Sequence, residues 1–290
     1  MREIAAAPPG SSDRAGASLT TVGRGEPNRE AGLFGRGLAI QLRCLDALMV
    51  RNLMIRYGRG NIGFLWVLLD PMILTVGVMF IWSMLKGSTE HGINLVGFVI
   101  SGYMPLTLWR HITNAGLFGL SRNASVFYHR QISAIDCLAA TLALEFAGCT
   151  AAFVIVVATS MTLGFLEPFA DTGAVVLGWM MMASLSIGTS LLICALTEYQ
   201  EFWERFIQPF QYLMLPISGS FFMVDWLPSY AQQIAWYSPL VHCYEMVRHG
   251  FFGDSVATTS EPMYVFGIAL VQFVLGLWLL ERARDATSFR

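Results

Sequence analysis

Asp70 and Arg110, two ionisable residues inside apolar runs, are the first candidates for chemistry. Asp70 follows the run Ile62-Gly63-Phe64-Leu65-Trp66 and precedes Pro71, and Arg110 stands beside Trp109, near Leu106 and Tyr103. An ionised side chain at the bilayer centre costs about 2.5–3.5 kcal/mol on insertion scales, so such a residue faces a bundle interior, a subunit contact or a water-filled path. For Asp70 the sequence favours structure: it pairs with a polar group to fix helix packing while Pro71 bends the helix. For Arg110 two readings stand. Either it snorkels toward an interface, or it lines a path with Trp66, Tyr103 and Trp109. There rings would stack on sugar C–H faces, and the guanidinium would bind phosphate or carboxylate bidentately.

A third constellation has the residue types of a metal site. His242, Glu245 and His249 could share one helix face, with Cys243 adjacent. The simpler reading is a set of interfacial side chains with an i,i+3 pair between Glu245 and Arg248. Zinc sites show tighter ligand pairs, so no metal is expected. No catalytic residue is expected either. A nucleotide-binding P-loop needs G-x-x-x-x-G-K-[ST], and the only lysine, Lys86, sits between Leu85 and Gly87. There is also no G-x-S-x-G elbow and no H-E-x-x-H. Any ATP consumed by this protein, with its Mg, is therefore bound by another chain, and this chain binds no cofactor.

The elements that position these residues belong to a membrane. The 290 residues are 55% hydrophobic and 13% charged, against about 25% charged in a soluble domain. A net charge of -2 implies no nucleic-acid partner. Five scattered cysteines (Cys44, Cys137, Cys149, Cys194, Cys243) form neither a zinc frame nor a disulfide scaffold. Residues 1–35 read as a disordered cytosolic tail, without the apolar region of a signal peptide. Leu38, Leu42, Leu45, Met49 and Leu53 recur at three or four, which predicts an amphipathic helix over 36–61 in the interface plane.

A spanning helix needs about 20 mostly apolar residues. Six runs are predicted as spans: 62–85, 93–120, 137–164, 173–196, 206–223 and 263–280. The fifth is short and broken by Pro209 and Pro216. The fold class is thus an all-α integral membrane protein, with a six-span domain over 62–280 and a cytosolic tail at 281–290. With the N-terminus inside, the cytosolic segments carry fifteen of the eighteen Lys and Arg residues, as the positive-inside rule demands. The outer segment 224–255 holds Trp226, Tyr230, Trp236, Tyr237 and Tyr244. Pro228 and Pro239 divide it into two short helices, re-entrant or lying on the outer face. The cytosolic loop 121–136 exposes Phe127, Tyr128, His129 and Arg130, which read as a docking knob for a partner or as a helix on lipid headgroups.

Four stretches resemble a known family, the membrane-spanning subunits of bacterial type-2 ABC exporters for capsular polysaccharide. They are RNLMIRYGRGNIGFLWVLLDP (51–71), NASVFYHRQISAIDCLAATLALE (123–145), the broken fifth span and SPLVHCYEMVRHGFF (238–252). The first carries the family's basic surface helix, then its L-G-x-L-W run, matched here by Ile62-Gly63-Phe64-Leu65-Trp66, then its acid-proline pair, Asp70-Pro71. One departure is Thr141, where the family often has an arginine four residues before Glu145.

The resemblance implies a homodimer with two copies of a cytosolic ABC ATPase, in the bacterial inner membrane with both termini cytosolic. Loop residues Phe127, Tyr128, His129 and Arg130, with Arg51 and Arg56 of the amphipathic helix, would couple to the ATPase. A lipid-linked, acidic polysaccharide would pass through, and Trp226, Trp236, Tyr237, Glu245 and Arg248 would form an outer gate. Periplasmic and outer-membrane export components would complete the route. Within this reading the alternative cargo is another lipid-linked glycan, of O-antigen or teichoic-acid type, or a small hydrophobic compound. A membrane-embedded lipid-sugar transferase or acyltransferase would need converging acid/base residues, and a secondary transporter would need inverted repeats. Neither pattern is found.

Overall fold

A computed structural model describes residues 27–57, 62–86, 89–90, 93–117 and 133–287. The chain divides into two compact units, Met1–Leu42 and Arg43–Arg290. The described part of the first is the beginning of helix α1 (Pro27–Tyr57). The second unit continues α1 and holds α2 (Ile62–Lys86), a two-stranded antiparallel hairpin, β1 (Thr89–Glu90) with β2 (Ile93–Asn94), α3 (Leu95–Leu117) and α4 (Ala134–Thr162). It goes on with α5 (Thr172–Tyr199), α6 (Glu201–Ile217), α7 (Ser229–Trp236), α8 (Pro239–Phe252) and α9 (Pro262–Thr287).

The helices start where the sequence supplies caps. Ser133 and Asp136 make a reciprocal capping box at α4, and Asp171 accepts from the Gly173 and Ala174 amides at α5. At α3 the Val96 and Gly97 amides donate to Asn94 Oδ1 at 2.9 and 3.2 Å, while Asn94 Nδ2 donates to the Phe165 carbonyl at 3.0 Å. Asn94 therefore ties the start of α3 to the loop before α5. Asn94→Ala is expected to remove about 1 kcal/mol of stability. Asn94→Asp, which keeps the cap and loses the Phe165 bond, is expected to remove less. Thermal unfolding in detergent measures both.

Helix directions follow from the pairing. Between α2 and α3, Trp82 meets Phe98, Thr75 donates to Met104 and Asp70 meets His111. One number rises as the other falls, so the two are antiparallel. The same test makes α6 antiparallel to α3, since Tyr212 meets Arg110 and Gln211 meets Thr113 while Ser220, just past the end of α6, meets Gly102. It also makes α4 antiparallel to α5, where Phe153 stacks on Trp179 and Phe146 shares an apolar groove with Ile187 and Leu191. Helix α9 runs with α5: Gly188 abuts Gln272 and Leu191 abuts Gly276.

At the centre lies α5, packed on α3, α8 and α9. Met181, Met182, Leu185 and Cys194 are buried there with Ile100, Met104, Leu108 and Ile112 of α3. Among the described residues, three helices are long and apolar enough to cross a membrane: Ile135–Thr162, Thr172–Tyr199 and Pro262–Ala283. Helix α3 carries Arg110, His111, Thr113 and Asn114 along its last turns, and α6 has only 17 residues.

The amphipathic helix packs as well as faces outward. Cys44, Leu45, Leu48 and Met49 of α1 close over Cys137 and Ala140 of α4. Asn52 Nδ2 donates to Thr141 Oγ1 at 3.0 Å. Thr141, the residue that departs from the family pattern, is thus a fastening point for α1.

Candidate functional site

The antiparallel register of α2, α3 and α6 sets two groups of side chains about 18 Å apart along α3 (twelve residues at 1.5 Å each). The first group is aromatic. Trp82 stacks on Phe221 at 5.9 Å and lies 6.3 Å from Phe98, whose other side meets Trp226 at 5.1 Å. Tyr103 lines the space beside these rings with Val78, Val99 and Ser220.

The second group is polar. His111 Nδ1 is 3.0 Å from Glu145 Oε2 on α4, and His111 Nε2 is 3.8 Å from Asp70 Oδ2 on α2. The Glu145 side chain is 4% exposed and that of Asp70 47%, so the inner carboxylate is sealed and the outer one reachable. The neighbouring Arg110 turns to α6 instead, where its guanidinium lies 4.9 Å from the ring centre of Tyr212. Its Nε is buried with no hydrogen-bond partner. Gln211 Nε2 donates to Thr113 Oγ1 at 3.0 Å, fastening α6 to α3. A separate groove of about 290 Å³ between α4, α5 and α9 is lined by apolar side chains such as Leu142, Phe146 and Phe273. It offers nothing polar with which to select a glycan.

Past the end of α6 the chain is irregular, and one arginine holds it. Gly219 takes φ +95°, where a Cβ is disfavoured, and the helix stops. Arg248 of α8 is fully buried. It donates from Nη2 to the Ser220 carbonyl at 2.8 Å and from Nη1 to the Phe222 carbonyl. It also lies 3.7 Å from Glu245 and 4.8 Å from the Phe98 ring centre. Glu245 Oε1 accepts from the Val224 amide at 3.3 Å. Gly102 leaves room for this arrangement, since a Cβ there would collide with the Ser220 carbonyl. Burial lowers the guanidinium pKa from its ordinary value to about 10, which leaves it protonated at neutral pH, and burial raises the Glu245 carboxyl.

The residues singled out in the sequence therefore separate into groups. Tyr103 lies with the aromatic group, where Trp226 meets Phe98, whereas Asp70 meets His111 and Arg110 meets Tyr212. Trp109 is only 5% exposed and packs in the core. Glu245 and Arg248 face one another inside the protein, whereas Trp236 and Tyr237 are exposed. Tyr237 accepts from the Tyr264 hydroxyl through its carbonyl. Pro209 and Pro216 lie within α6, and α2 runs through Pro71. Arg51 is half-buried on α1; the side chains of Arg56 and Trp66 lie outside the described residues, as do Phe127, Tyr128, His129 and Arg130 altogether.

The metal-like set diverges: His242 bonds the Trp236 carbonyl, Glu245 pairs with Arg248, and His249 bonds Thr258. His111 was not singled out, although an imidazole beside Arg110 in an apolar run was a visible signal.

The helices long and apolar enough to cross a membrane put the chain among helical membrane proteins in class, and the comparisons place it further. Residues 44–252 match the ABC-2 type transporter family, and the chain belongs to that family. It is similar to the capsule polysaccharide export inner-membrane protein CtrC of Neisseria meningitidis serogroup B. The two are 36% identical over 249 residues, covering 86% of this chain and 94% of CtrC. The corresponding inner-membrane protein BexB of Haemophilus influenzae is 33% identical over 248 residues, with 86% and 94% covered. The polysialic acid transport protein KpsM of Escherichia coli is 22% identical over 254 residues, with 86% and 97% covered.

Proposed function

We propose that this chain is the membrane-spanning subunit of an ATP-driven exporter that moves a lipid-linked, acidic capsular polysaccharide across the bacterial inner membrane. The observation that carries this reading is the likeness to CtrC and BexB over 94% of their lengths. Two further facts support it. The sequence has no P-loop lysine, so ATP hydrolysis falls to a separate ATPase, two copies of which serve a homodimer of this chain. The alternating helix directions fit six spans with both termini cytosolic, α2, α4 and α6 running outward and α3, α5 and α9 inward. In that arrangement α7 and α8 belong to the outer side, and the rings of Trp82, Phe98, Phe221 and Trp226 gather at the outer end of α2 and α3.

The loop 121–136 then faces the cytosol and serves as the contact for the ATPase. Purification of this chain from its native membrane is expected to recover a P-loop ATPase. Phe127→Asp or Arg130→Glu is expected to abolish surface polysaccharide while membrane insertion stays intact, with ATP hydrolysis continuing uncoupled from export. Unchanged export in both variants would remove the docking role of the loop.

A further inference from the structure

We propose that the apolar groove between α4, α5 and α9 is a seat for one acyl chain of a membrane phospholipid, which enters from the leaflet where α4 begins. Resting on the exporter reading, that leaflet is the cytosolic one. The groove has a floor and edges. Leu138, Leu142 and Leu191 are 1, 7 and 3% exposed and form the floor, while Ile135 and Phe273, 42 and 40% exposed, stand at the edges. Its α4 wall runs from Ile135 to Phe146, about 17 Å (eleven residues at 1.5 Å each). Half the hydrocarbon core of a bilayer is about 15 Å, so the groove has the length of one leaflet's chains.

Three facts choose the occupant. The groove lies between the three helices long and apolar enough to cross a membrane, where the surrounding medium is hydrocarbon. Water does not fill it, since a buried water needs polar partners and the residues lining the groove are all apolar. A helix from a second copy does not fit either. With its side chains a helix is a cylinder about 10–12 Å across, at least about 1,300 Å³ over this length, against about 290 Å³ in the groove. A hydrocarbon tail is slender enough. With no polar side chain to hold a sugar, the lining selects a bulk phospholipid over the anchor of the lipid-linked cargo.

The groove also has a closed end. Beyond Phe146, Trp179 Nε1 of α5 donates to Thr150 Oγ1 of α4 at 3.0 Å, and the Trp179 ring stacks on Phe153 at 4.5 Å. A chain entering beside Ile135 therefore stops below this bridge. Another face of α4 carries α1, through Cys137, Ala140 and the Asn52–Thr141 bond. A seated chain thus fixes how far α4, and α1 with it, stands from α5 and α9.

The test uses the full chain in vesicles of phosphatidylethanolamine and phosphatidylglycerol. A trace of phospholipid carries a photoreactive diazirine near the carbonyl or at the methyl end of one chain, and labelled residues are located by peptide mass spectrometry. The carbonyl-end probe is expected to label the level of Ile135 and Leu138, and the methyl-end probe that of Leu142 and Phe146. Leu270 and Val271 of α9, 63 and 65% exposed, report contact with bulk lipid. Labelling in the groove is expected to exceed theirs about tenfold, and Ala143→Phe, which fills the groove, is expected to remove that excess. Ala139→Leu serves if Ala143→Phe does not insert. Groove labelling equal to that of Leu270 and Val271, unchanged labelling in the filled variant, or the two probes in reverse order overturns the seat. Labelling abolished by added lipid-linked polymer would give the groove to the cargo and overturn the phospholipid. None of these results touches the exporter reading, which fails separately if no P-loop ATPase is recovered with the chain.

Discussion

Replacing Arg248 with alanine is expected to cost about 3–5 kcal/mol of stability, the penalty for stranding one partner of a buried ion pair. The guanidinium has no exposed surface and works in three directions at once. It satisfies the Ser220 and Phe222 carbonyls of the chain leaving α6, neutralises Glu245, and packs on Phe98 of α3. Alanine would leave two main-chain acceptors and one carboxylate without it, and an unsatisfied buried polar group alone costs about 1–3 kcal/mol. Lysine keeps the charge but has a single head that does not reproduce the fork, so Arg248→Lys is expected to recover only part of the loss. The double change Arg248→Met with Glu245→Leu is expected to do less harm than Arg248→Ala, because no charge is left behind. Thermal unfolding of the purified protein in detergent, with membrane abundance as a second readout, decides it. An Arg248→Ala protein that melts with wild type would mean that the carbonyls find other donors and that the arginine is no brace.

That arginine also shows where the sequence stops being legible. The apolar run 206–223 reads as one span because hydrophobicity counts side chains and ignores where main-chain hydrogen bonds go. In the structure α6 covers Glu201–Ile217, and Ser218 to Met223 leave the helix after Gly219 turns. Phe221, Phe222 and Met223 are still apolar, but their segment is satisfied by a side chain 26 residues away. No local pattern encodes such a partner. The aromatic residues around 224–255 suggested a surface, and the two short helices do begin at Pro228 and Pro239. Yet Glu245 and Arg248, read as gate charges, are as buried as any leucine in the core.

The polar group around His111 was legible in part for the same reason. Apolar periodicity and two intramembrane charges marked Asp70 and Arg110, because each is expensive where it sits. What pairs them is set by register between helices. Asp70 and Glu145 lie 75 residues apart, and only the packing of α2, α3 and α4 brings both to the two nitrogens of His111. Thr141 made Glu145 look partnerless on its own helix; its partner stands on α3, while Thr141 itself holds Asn52 of α1. Helix α3 falls short of an apolar span for a physical reason: the polar residues that dilute its hydropathy, Arg110, His111 and Thr113, are those that meet α2, α4 and α6.

The largest packing effect is expected at the α5–α8 crossing, from Gly250→Val. The two helices exchange glycines. Gly178 of α5 receives Val247 of α8, and three residues along, Gly250 of α8 receives Val175 of α5. A Cβ on Gly178 would stand 2.8 Å from the Val247 amide nitrogen, and one on Gly250 would collide with the Val175 amide and stand 2.8 Å from the Asp171 carbonyl. Small residues permit such backbone approach between membrane helices. Here the approach also lets the Asp171 amide donate to the Gly250 carbonyl at 3.0 Å, at the residue that caps α5. Because the obstacle is main chain, no rotamer change can relieve it. Gly250→Val is expected to lose at least about 3 kcal/mol, the upper part of the range for overpacking, and trimming Val175 to alanine is expected not to rescue it. Gly267→Ala on α9, where nothing lies within 4 Å of the new atom, is the control and is expected to shift stability by less than about 1 kcal/mol. Equal melting of the two variants would show that α8 can stand off from α5. The Arg248 brace, carried on the same helix two residues before Gly250, would then have no fixed base from which to hold the end of α6.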